Sequence, residues 1–238
     1  MMPKHSRAIA VITGDVIGSS RYSASAREKL DRLLRQAFAD AERRFPRAIH
    51  TRMAFRITAG DEFQCVISEI PRAFDILTYV RAVAAGGGLD PPVRFRASVG
   101  VGELSTPKRT SPYEQDGTAF VRAREGLEDM AKDRNPVRWT KLRTDSPEID
   151  EPVDAVLCLA DYLEQSWTVP QWEAVRWSIL GLTRKESAKK LGIAHQNVTK
   201  RLLAAGWPHF EIAVAFLRSA LGQLSGTPRR VQQPLAPN

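Results

Sequence analysis

Short apolar runs alternate with longer stretches of helical spacing through the first 143 residues. Residues 7–12 (R-A-I-A-V-I) form a continuous apolar run, the pattern of a strand buried on both faces. The run leads into the small-residue loop Gly14-Asp15-Val16-Ile17-Gly18-Ser19-Ser20. Ser23 or Ser25 can cap a helix over residues 26–44, where Leu30, Leu33, Leu34, Ala37, Phe38 and Ala41 recur at helical spacing before Pro46. Residues 55–67 (F-R-I-T-A-G-D-E-F-Q-C-V-I) alternate on both sides of Ala59-Gly60-Asp61-Glu62. This predicts a β-hairpin whose turn uses the positive φ available to Gly60. A second helix is expected over 71–85, a strand over 93–101, a polar loop over 103–113, a third helix over 117–132 and a last strand over 137–142. In the 93–101 strand, Gly100, with Gly102 just after it, signals the close approach of another backbone or a ligand. Gly86-Gly87-Gly88 follows a helix and precedes a strand, the reverse of a phosphate loop. The order β, α, hairpin, α, β, α, β fits an α+β unit: a mixed sheet covered by helices on one face.

The pattern changes at residues 144–152 (T-D-S-P-E-I-D-E-P), acidic and with two prolines, which read as a linker. Beyond it every periodic stretch is helical: 153–165, then a helix opened by Pro170 and ended near Gly181. Thr183 with Glu186 three residues on is a capping box. It starts a short helix that buries Ala188 and Leu191 and stops at Gly192. A second helix follows with Val198 and Leu202 inward. Two helices joined by a glycine-containing turn predict a helix-turn-helix. Residues 207–224 make the last helix, and the proline-containing remainder is expected to be disordered. The expected organisation is an α+β domain over 1–143, a linker over 144–152, an all-α helix-turn-helix domain over 153–224 and a tail over 225–238.

The chain has 238 residues, 26% of them charged and 43% hydrophobic, which is the balance of a globular protein. Net charge is +8, which suits nucleotides or nucleic acid as partners. Residues 1–143 hold 25 Lys and Arg against 17 Asp and Glu, so most of the excess lies there. Residues 183–206 concentrate a local one: Arg184, Lys185, Lys189, Lys190, Lys200 and Arg201 face a single acid, Glu186. Cys65 and Cys158, both in apolar runs, read as buried thiols, and no Cys/His spacing suggests zinc. The early first strand leaves no room for a secretory signal, and no apolar run approaches a membrane span, so a cytoplasmic protein is expected.

Candidate chemistry rests on two carboxylates. Asp15 follows a buried strand, a common site position in α/β folds. Asp61 sits at the hairpin tip, where Gly-Asp is also ordinary turn chemistry. If the hairpin lies beside the first strand, the two can converge and, with the Val16 or Ile17 carbonyl, hold Mg2+.

Three motifs together resemble the SatD family: I-T-G-D-V-I-G-S-S-R at 12–21, A-G-D-E-F-Q at 59–64, and R-A-S-V-G-V-G at 96–102 trailed by D-G-T-A-F-V-R-A-R-E. In outline they resemble the nucleotidyl cyclase and GGDEF palm-like superfamily. The resemblance implies a palm-like, ferredoxin-like βαββαβ domain with an antiparallel-rich sheet. It implies Mg2+ or Mn2+ at Asp15 and Asp61, assisted by Val16 and Glu62. Ile17, Gly18, Ser19 and Gly60 would lie around a bound nucleotide. Ala59 stands where GGDEF proteins carry their first glycine. Val121 and Glu125 stand where class III cyclases carry Asn and Arg, with Arg122 nearby as a substitute and Arg124 beside it. Lys108 and Arg109 lie in the polar loop near the expected phosphates. On α-helical readout grounds, Lys185, Lys189, His195, Gln196, Asn197, Thr199, Lys200 and Arg201 would meet DNA. The expected function is a regulator in which a nucleotide-binding domain sets the DNA affinity of a helix-turn-helix. The alternative is a metal-dependent nucleotidyl cyclase or transferase. A homodimer is expected in either case.

Overall fold

The computed structural model describes residues 8–59, 61–104, 117–133 and 138–224. The expected loop at 103–113, with Lys108 and Arg109, and the tail at 225–238 fall mostly or wholly outside these residues, as does Gly60. Five strands form one sheet: β1 (Ala8–Val16), β2 (Arg56–Ala59), β3 (Glu62–Ile67), β4 (Phe95–Glu103) and β5 (Thr140–Arg143), in the order β2-β3-β1-β4-β5. β1 is central and antiparallel to both β3 and β4, and only β5 runs parallel to its neighbour. This is the antiparallel-rich βαββαβ arrangement expected, extended by one parallel strand.

The helices of this part are α1 (Ala24–Arg44), α2 (Ala73–Ala85) and α3 (Thr118–Lys132). Alternation along β1 separates two cores. Ala10, Ile12 and Val16 face α1 and α2, where Phe38, Phe63 and Phe95 also lie. Ile9 and Val11 face Ala119, Phe120 and Ala123 of α3. The sheet therefore carries helices on both faces, which corrects the expected one-sided cover. The reason is written in small residues. A methyl on Gly100 would sit 2.2 Å from the Ala119 carbonyl oxygen, and one on Gly126 would sit 2.1 Å from Ser98 Oγ. The missing side chains let α3 lie close on the second face.

The C-terminal helices are α4 (Pro147–Ser166), α5 (Val169–Ser178), α6 (Arg184–Leu191), α7 (His195–Ala204) and α8 (Trp207–Leu224). Residues 147–152 are thus the first turns of α4 rather than a linker. Pro147 stands at a helix start, where its missing N–H costs nothing, and Glu148 and Asp150 suit the positive end of the helix dipole. The Asp150 carboxylate also accepts from the Thr144 amide (3.0 Å) and hydroxyl (2.8 Å). α2 is buried along almost its whole length because the sheet covers one side and α5 and α8 the other. One apolar core runs from the sheet through α2 into the C-terminal helices.

Ionic contacts cross the same boundary. Arg81 of α2 meets Glu164 of α4, Arg176 of α5 meets Asp40 of α1, and Arg218 of α8 meets Asp75 of α2. Partial burial pushes the Asp40 carboxyl up, but hydrogen bonds from Tyr79 and Arg176 outweigh it and hold it below the usual range.

Candidate functional site

Register decides where the predicted carboxylates point. Asp15 lies opposite Glu62 on β3 and opposite Arg96 on β4. Cross-strand partners share a face, so all three side chains project toward α3. Arg96 grips Asp15 with two donors, Nε to Oδ1 at 3.1 Å and Nη2 to Oδ2 at 2.5 Å. Asp15 and Glu62 line a cleft of about 120 Å3 together with Thr13, Arg124, Leu127 and Glu128. Asp61, in the turn just before β3, instead lines a cavity beside α1. The expected convergence of Asp15 and Asp61 is therefore corrected: Asp15 opens into the cleft under α3 and Asp61 into the separate cavity beside α1. Val16, the expected carbonyl donor, is buried at the end of β1.

The cavity that receives Asp61 measures about 330 Å3. Ser19, Ser20, Arg27 and Asp31 form its polar wall, and Leu30, Leu34 and Ile57 its apolar floor. The loop reaches it through a left-handed residue, Gly18 (φ 71°), which turns the chain into a single 3-10 turn at Ser19–Arg21. Ser23 then caps α1 by accepting from the Ala26 amide. Arg27, one turn further, is exposed and donates to the Ser20 carbonyl at 3.5 Å. Loop, helix start and hairpin tip thus meet around one hollow, near the lower end of the usual ligand-pocket size. Ser19 and Asp61 are the sequence-predicted residues found here. Ile17 and Gly18 line a more open hollow of about 500 Å3 with Tyr22 and Ser23.

Arg27 was missed because a first-turn arginine on an amphipathic helix looks like solvated surface. The signal was its place four residues after the capping serine. Arg122, expected at the nucleotide, is elsewhere. Its Nη1 donates to the Val101 carbonyl at 2.6 Å and its Nη2 lies 3.6 Å from Asp145. Gly102 makes room for this guanidinium, so Arg122 fastens α3 to β4.

The donor set does not fit the expected metal. Asp15 and Glu62 face α3 and Asp61 faces α1, and Asp15 is already engaged by Arg96. Among the described residues, no group of three or more His, Cys, Asp or Glu side chains is placed to hold a metal ion.

The α6–α7 pair is built as its sequence pattern requires. Thr183 and Glu186 close a capping box, whose hydrogen bonds hold the Glu186 carboxyl below its usual range. Gly192 ends α6 in the left-handed conformation (φ 65°), and α7 starts three residues later. Val198 and Leu202 are buried, so the opposite face of α7 is outward. His195, Gln196, Asn197 and Lys200 are exposed there, as are Lys185 and Lys189 on α6. Thr199 spends its hydroxyl on the His195 carbonyl (3.1 Å). Arg201 is turned inward, donating to Glu173 (3.0 Å) and to the Pro170 carbonyl (3.4 Å), and so ties α7 to α5.

The pattern of the SatD family matches residues 8–210. No curated protein matches the chain. Two solved structures are similar to it in part. One is a non-canonical dimeric guanylyl cyclase domain of the RhoGC fusion protein from the aquatic fungus Blastocladiella emersonii. It shares 13% identity with a TM-score of 0.36, over 53% of this chain and 76% of that one. The other is a class III adenylyl cyclase-like ATP-binding protein from Pseudomonas aeruginosa. It shares 12% identity with a TM-score of 0.37, over 91% of this chain, which spans 44% of that one.

Proposed function

We propose a function on the footing that this chain belongs to the SatD family: it is a regulatory protein that binds DNA through α6 and α7 and a nucleotide through its α+β part. One observation carries this reading. The outward face of α7 presents Gln196, Asn197 and Lys200 with nothing packed over them, while Val198 and Leu202 anchor the helix from behind. Amides read base edges and lysines neutralise phosphates, so this is a helix equipped for a major groove. Lys185 and Lys189 on α6 add positive charge beside it, and Glu186 is the single acid between residues 183 and 206.

The nucleotide belongs in the cavity at the start of α1. Arg27 offers a forked cation for a phosphate, Ser19 and Ser20 offer hydroxyls, and Leu30, Leu34 and Ile57 give a base or sugar an apolar floor. No metal is assigned to it: of the two carboxylates on its lining, Asp31 is paired with Arg35 at 2.8 Å, which leaves Asp61.

Binding of the full chain to a randomised duplex library, followed by fluorescence anisotropy between 50 and about 200 mM salt, tests the DNA reading. Enrichment of a sequence with steeply salt-dependent affinity is expected. No salt-dependent binding to any duplex overturns it.

A further inference from the structure

The C-terminal helices leave one apolar face uncovered. α4 and α8 pack side by side and run antiparallel. The end of α4 meets the start of α8, where Trp167 Nε1 donates to the Ala205 carbonyl at 2.7 Å and Leu163 lies against Gly206. Further along, Leu157 and Ala160 face Phe210, Val214 and Leu217 across a shared core. On the outward side of the same two helices stand Leu159 (70% exposed), Tyr162 (69%), Ile212 (70%) and Phe216 (41%). Single exposed apolar residues are ordinary, but four of this size on two packed helices are not.

The charge pattern says what covers them. Between residues 155 and 166 of α4, and between 212 and 223 of α8, no exposed position carries a charge. Of the charged residues within these stretches, Asp161 and Glu164 are buried, and Arg218, partly exposed, is neutralised by Asp75. Elsewhere the surface is dense with charge, and the chain carries a net +8. Two copies of so basic a chain repel each other across most surfaces. Across this face they do not. A neutral face also offers no charge for a differently charged partner to match. An antiparallel helix pair is moreover its own complement under a two-fold axis, which lays α4 of one copy against α8 of the other. We infer that the α4–α8 face is the surface through which two copies of this chain associate, as a four-helix layer.

The experiment is the mass of the full chain in solution by light scattering and sedimentation equilibrium. Wild type is expected at twice 26.5 kDa. Leu159→Glu combined with Ile212→Glu is expected to give the single-chain mass with an unchanged circular dichroism spectrum. Because two buried-on-association glutamates are a severe change, Phe216→Ser serves as a milder variant, expected to raise the dimer dissociation constant at least tenfold. A wild-type chain that stays monomeric up to about 100 μM, beyond the micromolar limit of standard-size interfaces, overturns the inference. Its own last residues or another molecule would then cover the face. A dimer that both variants leave intact overturns it too, because the copies would meet elsewhere.

Discussion

Arg81 and Glu164 face each other inside the protein with Nη1 2.6 Å from Oε2, the first on α2 and the second on α4. Arg81 also donates to the Thr140 hydroxyl and to the Trp139 carbonyl, both at 2.8 Å, and lies 3.6 Å from Asp161. One guanidinium thus serves two buried acids and ties β5, α2 and α4 together. Arg81→Met would leave both carboxylates without their cation. Breaking a buried pair from one side costs about 3–5 kcal/mol. Urea unfolding should show the midpoint falling accordingly. A loss under about 1 kcal/mol would mean water already reaches the cluster.

The same cluster makes stability depend on pH. Burial raises the Asp161 carboxyl to about 7, against the pull of Arg81, and raises Glu164 as well. An acid whose folded pKa lies above its unfolded value binds more protons when folded. Its contribution is full below the unfolded value, near 4, and is lost as pH rises through about 7. Stability should therefore decline across that window. Asp161→Asn should flatten the decline, read as the difference between the two pH profiles of unfolding free energy. Parallel profiles would remove Asp161 as the cause.

The close contact of α3 with β4 gives a steric prediction. A methyl added by Gly100→Ala has no space, with the Ala119 carbonyl at 2.2 Å and the Ala123 amide nitrogen at 2.3 Å. Both are backbone, so α3 must move. Overpacking of this kind costs about 1–3 kcal/mol. Gly222→Ala, which meets nothing within 4 Å, is the matched control and should be neutral or slightly stabilising in a helix. Thermal unfolding of the two variants compares them directly.

The succession of strands and helices along the chain and the inward faces of the helices were legible because periodicity reports burial: Leu30, Leu33, Leu34, Ala37, Phe38 and Ala41 are all buried as their spacing requires. The glycines of β4 correctly announced a close backbone, here α3. The candidate site was less legible. Asp15 pairs across the sheet with Glu62, so Asp61 falls in the turn beyond the ladder, and composition does not reveal where a ladder stops. The stretch 144–152 misled because prolines and acids mark both linkers and helix starts, and only the carboxylate of Asp150 on Thr144 separates the two here.

Arg27 is the cation of the proposed nucleotide cavity, and among the described residues its guanidinium makes a long contact, 3.5 Å to the Ser20 carbonyl. Arg27→Ala should leave stability nearly unchanged, since exposed surface changes are usually within about 0.5 kcal/mol. It should weaken nucleotide binding by about tenfold or more, the scale of one charge-assisted hydrogen bond. Calorimetric titration of wild type and variant with a set of nucleotides measures both. Equal affinities would place the ligand elsewhere.

If α6 and α7 meet DNA as proposed, their lysines separate phosphate contacts from base contacts. Lys189→Ala and Lys200→Ala each remove an exposed cation and no packing. Each should weaken binding to all duplexes alike and reduce the slope of log affinity against log salt by about 0.9, one phosphate's worth of counterion release. Asn197→Ala should leave that slope intact and relax discrimination at one base pair, by about 1–3 kcal/mol for a bidentate contact. Arg201→Ala serves as the contrast. Its guanidinium is occupied by Glu173 and the Pro170 carbonyl, so it should loosen the docking of α7 on α5 and lower thermal stability without changing the salt slope. A changed slope in Arg201→Ala with an unchanged one in Lys200→Ala would mean that α7 meets DNA with its other face.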